Sequence, residues 1–291
     1  MVENMTAQRI SIQNILVTTD FSSASGAALR YAGQWAGRLG ANVHVVHFIR
    51  PIEYAVGAGY GYGVDVETLM EEGRREMTQL EAEAAREGLA CQTYLRNLEL
   101  QAGLGALIEE LAIDLVVLAS AGRRGWSGLL LGSSADAIFR SVSCPVLMLG
   151  PEARAKPLAG GKVLFATDFG PAAKSASRVA VGLAQAWRAE LSLLHVLPKS
   201  DSGLSQTPEV AASEARLWEL MPADAADWRR PQAAVRFGRA SKEIVKLARS
   251  WGCGLIVLGA RRAPRAPLYP GWETAYQVLC EAPCAVLTVR E

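Results

Sequence analysis

Short runs of branched apolar residues recur along the chain without the alternation of polar and apolar positions that marks a half-exposed strand. In the first half they read ILVTTDFS at 15–22, VHVVHFI at 43–49, DLVVLAS at 114–120 and SCPVLML at 143–149. Such runs are typical of strands buried on both faces, as in a parallel sheet. Helix-length segments lie between them, including 24–40 and 68–88. This alternation predicts an α/β fold in which a doubly wound parallel sheet is flanked by helices.

Each of these runs returns in the second half of the chain. The copies read VLFATDFG at 163–170, LSLLHVL at 191–197, GLIVLGA at 254–260 and PCAVLTV at 283–289. The first two pairs are 148 residues apart, and the last two pairs are 140 apart. An internal repeat of this kind predicts two similar domains. The second domain has a net loss of eight residues between its second strand and its later apolar strand.

The segment GPEARAKPLAGG at 150–161 has the proline, glycine and alanine content of a linker. A chain of 291 residues is long enough for two domains of ordinary size. We therefore expect a first domain over 1–150, a linker over 151–160 and a second domain over 161–291.

Charge and cysteine content remove several classes of function. The chain has 30 Lys and Arg against 29 Asp and Glu, a net charge of +1, which gives no global electrostatic argument for binding nucleic acid or an anionic membrane. No apolar run approaches the roughly 18 residues of a membrane span, and no signal-peptide pattern is visible, so we expect a soluble, cytoplasmic protein. Five cysteines without paired C-x-x-C spacing suggest neither a disulfide framework nor a metal site.

Candidate ligand-binding residues follow the predicted strands, because ligands of doubly wound sheets bind outside the carboxyl ends of the strands. Thr19 and Asp20 follow the first strand. Asp20 is suited either to accept hydrogen bonds from a ligand or to cap the following helix, and both interpretations stay open. His47 ends the second strand. We expect it to be a packing residue rather than a catalytic one, since no nucleophile or carboxylate is placed to act with it.

The segment 51–67 is rich in glycine and tyrosine, which predicts a mobile loop over the edge of the sheet. Tyr60 and Tyr62 are placed either to cover a bound base or to form an ordinary connection. The second half has no aromatic residue at the matching place.

The stretch AGRRGWSGLLLGSS at 121–134 connects a buried strand to a helix. Gly122 permits close approach of a phosphate, and Gly132, Ser133 and Ser134 offer N–H and hydroxyl donors at a helix start. Arg123, with its neighbour Arg124, either adds positive charge or is simply solvated. The spacing matches neither a P-loop nor the G-x-G-x-x-G fingerprint, so alone it is a weak signal.

Together, ILVTTDFS, the strand ending in His47, DLVVLAS, LLLGSSAD and SCPVLML resemble the universal stress protein family, and the resemblance covers both halves. It implies a tandem member with two five-stranded parallel sheets of order 3-2-1-4-5. Many members bind ATP through the pattern G-x2-G-x9-G-S/T. Carried over, that pattern falls on Ala119, Gly122, Gly132 and Ser133, so alanine replaces the first glycine. The same resemblance places Asp20 and Phe48 at the adenosine end.

The second half departs further from the pattern. Gly259 takes the first position, but Arg262, Trp272 and Glu273 take the others. Three prolines in the intervening segment remove N–H donors, and a glutamate at the helix start opposes a phosphate. We expect the second domain to keep the fold and to have lost triphosphate binding.

These observations favour a stress-response regulator that binds ATP or a related adenine nucleotide in its first domain, with Mg²⁺ held mainly by the nucleotide phosphates. We expect it not to be an enzyme. Two alternatives stay open: a nucleotide-free interaction module, in which Ala119 has disabled the site, and a slow ATPase. The resemblance also implies that the last strands of the two domains pair within the chain as a pseudo-dimer. A protein partner and the association of two chains are left open.

Overall fold

The computed structural model describes residues 11–49, 66–120, 123–125, 128–130, 133–150, 152–153, 158, 161–199, 207–221, 231–260 and 272–290. The chain forms two compact units. The N-terminal unit comprises Ile12–Ser120 and Gly132–Cys144, and the C-terminal unit comprises Met1–Ser11, Ala121–Leu131 and Pro145–Glu291. The limits of the two domains expected from the sequence stay predictions.

The N-terminal unit is an α/β sandwich built on parallel strands. Its strands are β1 (Asn14–Thr18), β2 (Asn42–Phe48), β3 (Gln92–Arg96) and β4 (Leu115–Ala119). Its helices are α1 (Ser23–Leu39), α2 (Val66–Arg86), α3 (Leu100–Glu110) and α4 (Ser133–Ser141). The strands pair in the order β3-β2-β1-β4, and every pair is parallel. This agrees with the expected α/β fold and with the first four positions of the expected strand order.

The C-terminal unit repeats this arrangement with a fifth strand. It contains β5 (Arg123–Gly125), β6 (Gly128–Leu130), β7 (Val146–Leu149), β8 (Lys162–Ala166), β9 (Glu190–Leu197), β10 (Gln232–Phe237), β11 (Leu255–Gly259) and β12 (Ala285–Val289). Its helices are α5 (Ala173–Trp187), α6 (Thr207–Glu219), α7 (Ala240–Trp251) and α8 (Trp272–Glu281). The order β10-β9-β8-β11-β12 is the expected 3-2-1-4-5, and all of these pairs are parallel.

Strand β7 belongs by sequence to the first repeat but lies in the C-terminal unit, where it pairs antiparallel with β12. Leu147 lies opposite Leu287, with Met148 opposite Val286 and Val146 opposite Thr288. Leu147 and Leu287 occupy equivalent positions of the two repeats, 140 residues apart. A local twofold axis therefore passes through this pair of strands.

The apolar runs form the core because they are covered on both faces. Ile15, Leu16 and Val17 of β1 are fully buried, and α1 packs Tyr31 and Trp35 into the interior. Strand β3, in contrast, is half-exposed and carries no continuous apolar run. Among the described residues, no helix is long and apolar enough to cross a membrane.

The structure also places the eight-residue loss. Residues 211–220 run along α6 to one residue beyond its end. Their order of buried and exposed positions is the same as that of residues 71–80 of α2. Gly73 corresponds to Ser213 and Met77 to Leu217, each 140 residues apart and each buried. Since His47 and His195 are 148 apart, the loss falls between β9 and α6. The predicted Gly/Tyr loop lies outside the described residues over 51–65, whereas Val66 and Glu67, which were included in it, begin α2.

Candidate functional site

The chain turns sharply where β1 ends. The Thr19 N–H donates to the Val46 carbonyl at 2.9 Å, and Thr19 Oγ1 accepts from the Phe21 N–H at 3.0 Å. Asp20 Oδ1 accepts from the Ser22 N–H at 3.1 Å. Phe21 takes the left-handed region with a φ of 59°, which is uncommon for a residue with a side chain. The two side-chain acceptors hold this strained turn in place.

The cap of α1 is Ser22, whose Oγ accepts from the Ser25 N–H at 3.3 Å. Asp20 therefore supports the turn without capping the helix itself, and its side chain stays exposed. Partial burial raises the pKa of Asp20, but hydrogen bonds from Ser22 and Ser25 outweigh burial and leave the pKa below its usual value. Asp20 is thus an ionised hydrogen-bond acceptor at neutral pH.

His47 of β2 stabilises the same turn. Its Nδ1 lies 2.8 Å from the Thr19 carbonyl oxygen. Because a carbonyl only accepts, Nδ1 carries the proton. The imidazole also packs on Phe21, with ring centroids 4.5 Å apart and planes tilted by 38°. These contacts support the expected packing role of His47.

A cavity of about 290 Å³ opens at the carboxyl ends of β1, β2 and β4. It is lined by Thr18, Thr19, Asp20, Ser25, His47, Phe48, Leu100, Leu118, Ala119, Ala135 and Ile138. Polar groups come from β1 and the turn after it, from the start of α1 and from His47 of β2, whereas α3 and α4 supply apolar walls. The fold thus brings four of the residues named from the sequence, Thr19, Asp20, Phe48 and Ala119, around one cavity, and their role in binding a ligand stays a prediction.

Phe48 is positioned by a glycine that the sequence analysis did not single out. A Cβ built on Gly103 of α3 would lie 2.5 Å from Phe48 Cε1, so the ring rests directly against the helix backbone. The only sequence signal for this contact is a glycine inside a helical segment, where it costs stability relative to alanine.

The other predicted residues are placed in part. Gly122 and Gly132 lie outside the described residues. Arg123 lies in the β5–β6 hairpin of the C-terminal unit, within the stretch that the sequence analysis described only as a connection between a strand and a helix. Ser133 and Ser134 begin α4, the helix whose Ala135 and Ile138 line the cavity. Within the described ranges no group of three His, Cys, Asp or Glu side chains is arranged to hold a metal ion.

The turn is copied in the C-terminal unit. Thr167 Oγ1 accepts from the Phe169 N–H at 2.9 Å, and Asp168 Oδ1 accepts from the Gly170 N–H at 2.8 Å. Phe169 also has a φ of 59°. His195 Nδ1 lies 2.8 Å from the Thr167 carbonyl oxygen, and its ring lies 4.4 Å from that of Phe169.

The surroundings of the copied turn differ. The start of α8 carries Glu273, whose Oε1 pairs with Arg239 Nη2 and accepts from Gln277 Nε2 at 3.0 Å. Gly259, at the position of Ala119, leaves room for Ala172, whose Cβ lies 3.1 Å from where a Gly259 Cβ would stand. The second repeat thus keeps the turn but fills its surroundings with its own side chains.

A sequence model of the universal stress protein family matches residues 11–150 and, a second time, residues 161–290. The chain belongs to the universal stress protein family. The double match confirms a tandem, two-repeat member of this family of stress-response proteins.

Two curated universal stress proteins are similar in sequence. One, from Mycolicibacterium smegmatis, is 28% identical over 188 residues, which cover 62% of this chain and 63% of that protein. The chain therefore spans less than two thirds of that relative. The other, from Methanocaldococcus jannaschii, is 25% identical over 138 residues, which cover 47% of this chain and 81% of that protein.

Solved universal stress proteins share the fold over nearly the full chain. A crystal structure from Archaeoglobus fulgidus has a TM-score of 0.71 at 17% identity and covers 95% of this chain and 98% of its own. A putative universal stress protein from Pseudomonas aeruginosa UCBPP-PA14 has a TM-score of 0.64 at 21% identity, with coverages of 96% and 94%. At these identities the likeness shows the fold alone.

Proposed function

We propose that this universal stress protein is a stress-response regulator whose N-terminal domain binds ATP or a related adenine nucleotide. The observation that carries the proposal is the cavity at the carboxyl ends of β1, β2 and β4, which holds the four predicted residues that the structure describes in full. In doubly wound sheets this edge is where nucleotides bind.

The cavity suits the adenosine part of such a ligand. Its volume of about 290 Å³ lies at the lower end of the range for small-molecule sites. Leu100, Leu118 and Ile138 offer apolar walls for a base, and the ionised Asp20 offers an acceptor for ribose hydroxyls. Ala119 adds only a methyl group to this wall, so we expect it to narrow the site without closing it.

The start of α4 is the proposed phosphate end. Unpaired N–H groups and the helix dipole at a helix N-terminus favour an anion, and Ser133 and Ser134 add hydroxyl donors. Since the described residues present no cluster of metal ligands, we expect Mg²⁺ to reach the site on the nucleotide phosphates.

The C-terminal repeat is proposed to hold no triphosphate. Glu273 already places a carboxylate at the start of α8, where it is paired with Arg239 and bonded to Gln277. A phosphate there would meet like charge. We propose that this repeat serves as scaffold or partner surface, and the pairing of β7 with β12 supports an internal pseudo-dimer of the last strands.

Universal stress proteins are generally regulatory rather than catalytic. In the N-terminal repeat His47 is engaged in holding the turn, with its Nδ1 proton donated to a carbonyl. We therefore propose regulation through nucleotide occupancy as the output.

The first test is mass spectrometry of ligand released from the purified, untreated protein, followed by calorimetric titration with ATP. Asp20→Asn is expected to weaken ATP binding about tenfold or more, because it removes a charge-assisted hydrogen bond. Asp168→Asn makes the same change in the copied turn and is expected to leave ATP binding unchanged.

Adenine nucleotide at one equivalent per chain, lost in Asp20→Asn alone, would support the proposal. The absence of both nucleotide and binding heat would contradict it and favour the interaction module. Steady ATP turnover that disappears in folded Asp20→Ala would favour the slow ATPase.

A further inference from the structure

The ring of Phe169 in the C-terminal unit is covered by a cation. Arg216 of α6 places its Cζ 4.0 Å from the ring centroid, well within the distance of a cation–π contact. The guanidinium is supplied by the protein's own chain, on an exposed stretch of helix. The copied turn thus has a ring face that accepts a guanidinium.

The N-terminal repeat has the opposite charge at the matching position. The register of α2 and α6 is fixed by their common burial pattern, so Arg216 corresponds to Glu76, 140 residues earlier. Glu76 and Phe21, with Glu72 and Leu69, line a cavity of about 350 Å³. Glu72 and Glu76 have no ion-pair partner within the described part of the chain.

This cavity combines an aromatic ring with two carboxylates one helical turn apart. The negative face of the ring and both carboxylates attract a cation. Among cations, a guanidinium is planar and weakly hydrated, so it both stacks on a ring and pairs with carboxylates at low desolvation cost. An alkali ion lacks both properties.

We propose that the Phe21 cavity binds a guanidinium group from outside the chain, in the place that Arg216 occupies in the second repeat. The group belongs either to a small guanidino compound or to an arginine side chain of a protein partner. The site is distinct from the proposed nucleotide cavity, although His47 and Phe48 line both.

The test is a titration of the full-length protein with methylguanidinium chloride at constant ionic strength, followed by saturation-transfer NMR on the methyl signal. We expect weak, saturable binding. N-methylurea has nearly the same shape but no charge and is expected to show no saturable transfer.

The charge-reversed variants Glu76→Arg and Glu83→Arg give opposite results if the proposal holds. Glu76→Arg supplies an internal guanidinium to Phe21 and is expected to abolish binding. Glu83→Arg makes the same charge change on α2, at a residue that does not line this cavity, and is expected to retain binding. Arg216→Glu uncovers Phe169 and is expected to add a second site per chain.

The milder Glu76→Gln and Glu72→Gln variants guard against a folding defect, and each is expected to weaken binding about threefold to fivefold. Equal binding by wild type and folded Glu76→Arg, or equal binding of N-methylurea, would overturn the proposal. Since Glu76 does not line the nucleotide cavity, ATP titration of Glu76→Arg separates this result from the proposed function.

Tighter binding of the peptide acetyl-Gly-Arg-Gly-amide than of methylguanidinium would assign the group to a protein partner. Equal or weaker binding of the peptide would assign it to a small compound. Both results support a guanidinium site.

Discussion

Two phenylalanines with a left-handed backbone, Phe21 and Phe169, each follow a Thr-Asp pair and pack on a histidine. In each repeat a threonine Oγ1 accepts the N–H of the phenylalanine. This left-handed backbone is uncommon for a residue with a side chain. It persists here because the threonine hydroxyl, the aspartate carboxylate and the histidine ring hold the turn together.

Thr19→Val removes one of these groups while keeping the shape of the side chain. We expect it to lower the free energy of unfolding by about 1–2 kcal/mol, since the Phe21 N–H loses its acceptor. It is also expected to weaken ATP binding, because Asp20 loses its fixed position. The matched variant Thr167→Val is expected to destabilise similarly without changing ATP affinity. Urea denaturation and calorimetry measure the two effects, and equal ATP affinities in both variants would contradict the argument.

We expect His44 to make the stability of the protein depend on pH. It is buried on β2, with Nδ1 3.1 Å from the Tyr94 hydroxyl and Nε2 3.4 Å from Asn14 Oδ1. Burial lowers the pKa of His44 below its value of 6.5 in the unfolded chain. The unfolded state therefore binds more protons as the pH falls below about 6.5, and the folded state loses stability there.

We expect urea denaturation to give a lower free energy of unfolding at pH 5.5 than at pH 7.5, and His44→Gln to reduce that difference. Asp20, whose pKa is lowered, loses its contribution only at more acidic pH and does not interfere. An unchanged pH dependence in His44→Gln would contradict this assignment.

At the scale of elements, the apolar runs predicted the strands that are buried on both faces, but not β3 and β10. Strand β3 lies at the end of the paired strands of its unit and is half-exposed, so its sequence QTYLR lacks an apolar run. The contact of Phe48 with Gly103 could not be predicted from the sequence either, because the two residues are distant in sequence and meet only when α3 packs beside β2.

That contact predicts opposite effects for two alanine substitutions in α3. Gly105→Ala places its Cβ in open space and is expected to stabilise the protein by up to about 1 kcal/mol through helix propensity. Gly103→Ala pushes the Phe48 ring toward the cavity, so we expect that gain to be lost and ATP affinity to fall. Thermal unfolding and calorimetry distinguish them, and equal ATP affinity in both would show that Phe48 does not shape the site.

The pairing of β7 with β12 predicts a coupled pair of residues. Leu147 and Leu287 are buried opposite each other. Each Leu→Ala change is expected to cost about 2–5 kcal/mol. Because both changes open the same region, the double variant is expected to cost less than the sum. Strict additivity in a urea-denaturation cycle would contradict a shared packing site.

At the scale of the whole molecule, the repeats have kept one fold and have diverged in the residues around the shared turn, including one helix start. The sequence predicted this divergence from Arg262, Trp272, Glu273 and the prolines between them, and the structure adds the pairing of Glu273 with Arg239. What the sequence did not predict is the charge reversal between Glu76 and Arg216. That relation appears only after the burial patterns of α2 and α6 have fixed their register.

Placing a glutamate at the start of α4, as at the start of α8, tests whether this residue type separates the two repeats in phosphate binding. Ser133→Glu is expected to abolish ATP binding, because a carboxylate at the start of α4 repels phosphate. Ser133→Ala removes only a hydroxyl and is expected to weaken binding by about tenfold or less. Calorimetric titration compares the two, and undiminished ATP binding by Ser133→Glu would place the phosphates elsewhere.

Strands β7 and β12 pair antiparallel but belong to one chain, so their sequences escape a constraint that applies to identical subunits. Across a twofold axis between identical chains, one substitution appears on both sides, so each residue has to tolerate its own copy. Here Met148 faces Val286 and Val146 faces Thr288, so the two sides of the axis have already changed independently. Joining the strands in one chain also makes their encounter independent of protein concentration. One repeat of a tandem chain can therefore diverge in sequence while the pairing of β7 with β12 is kept.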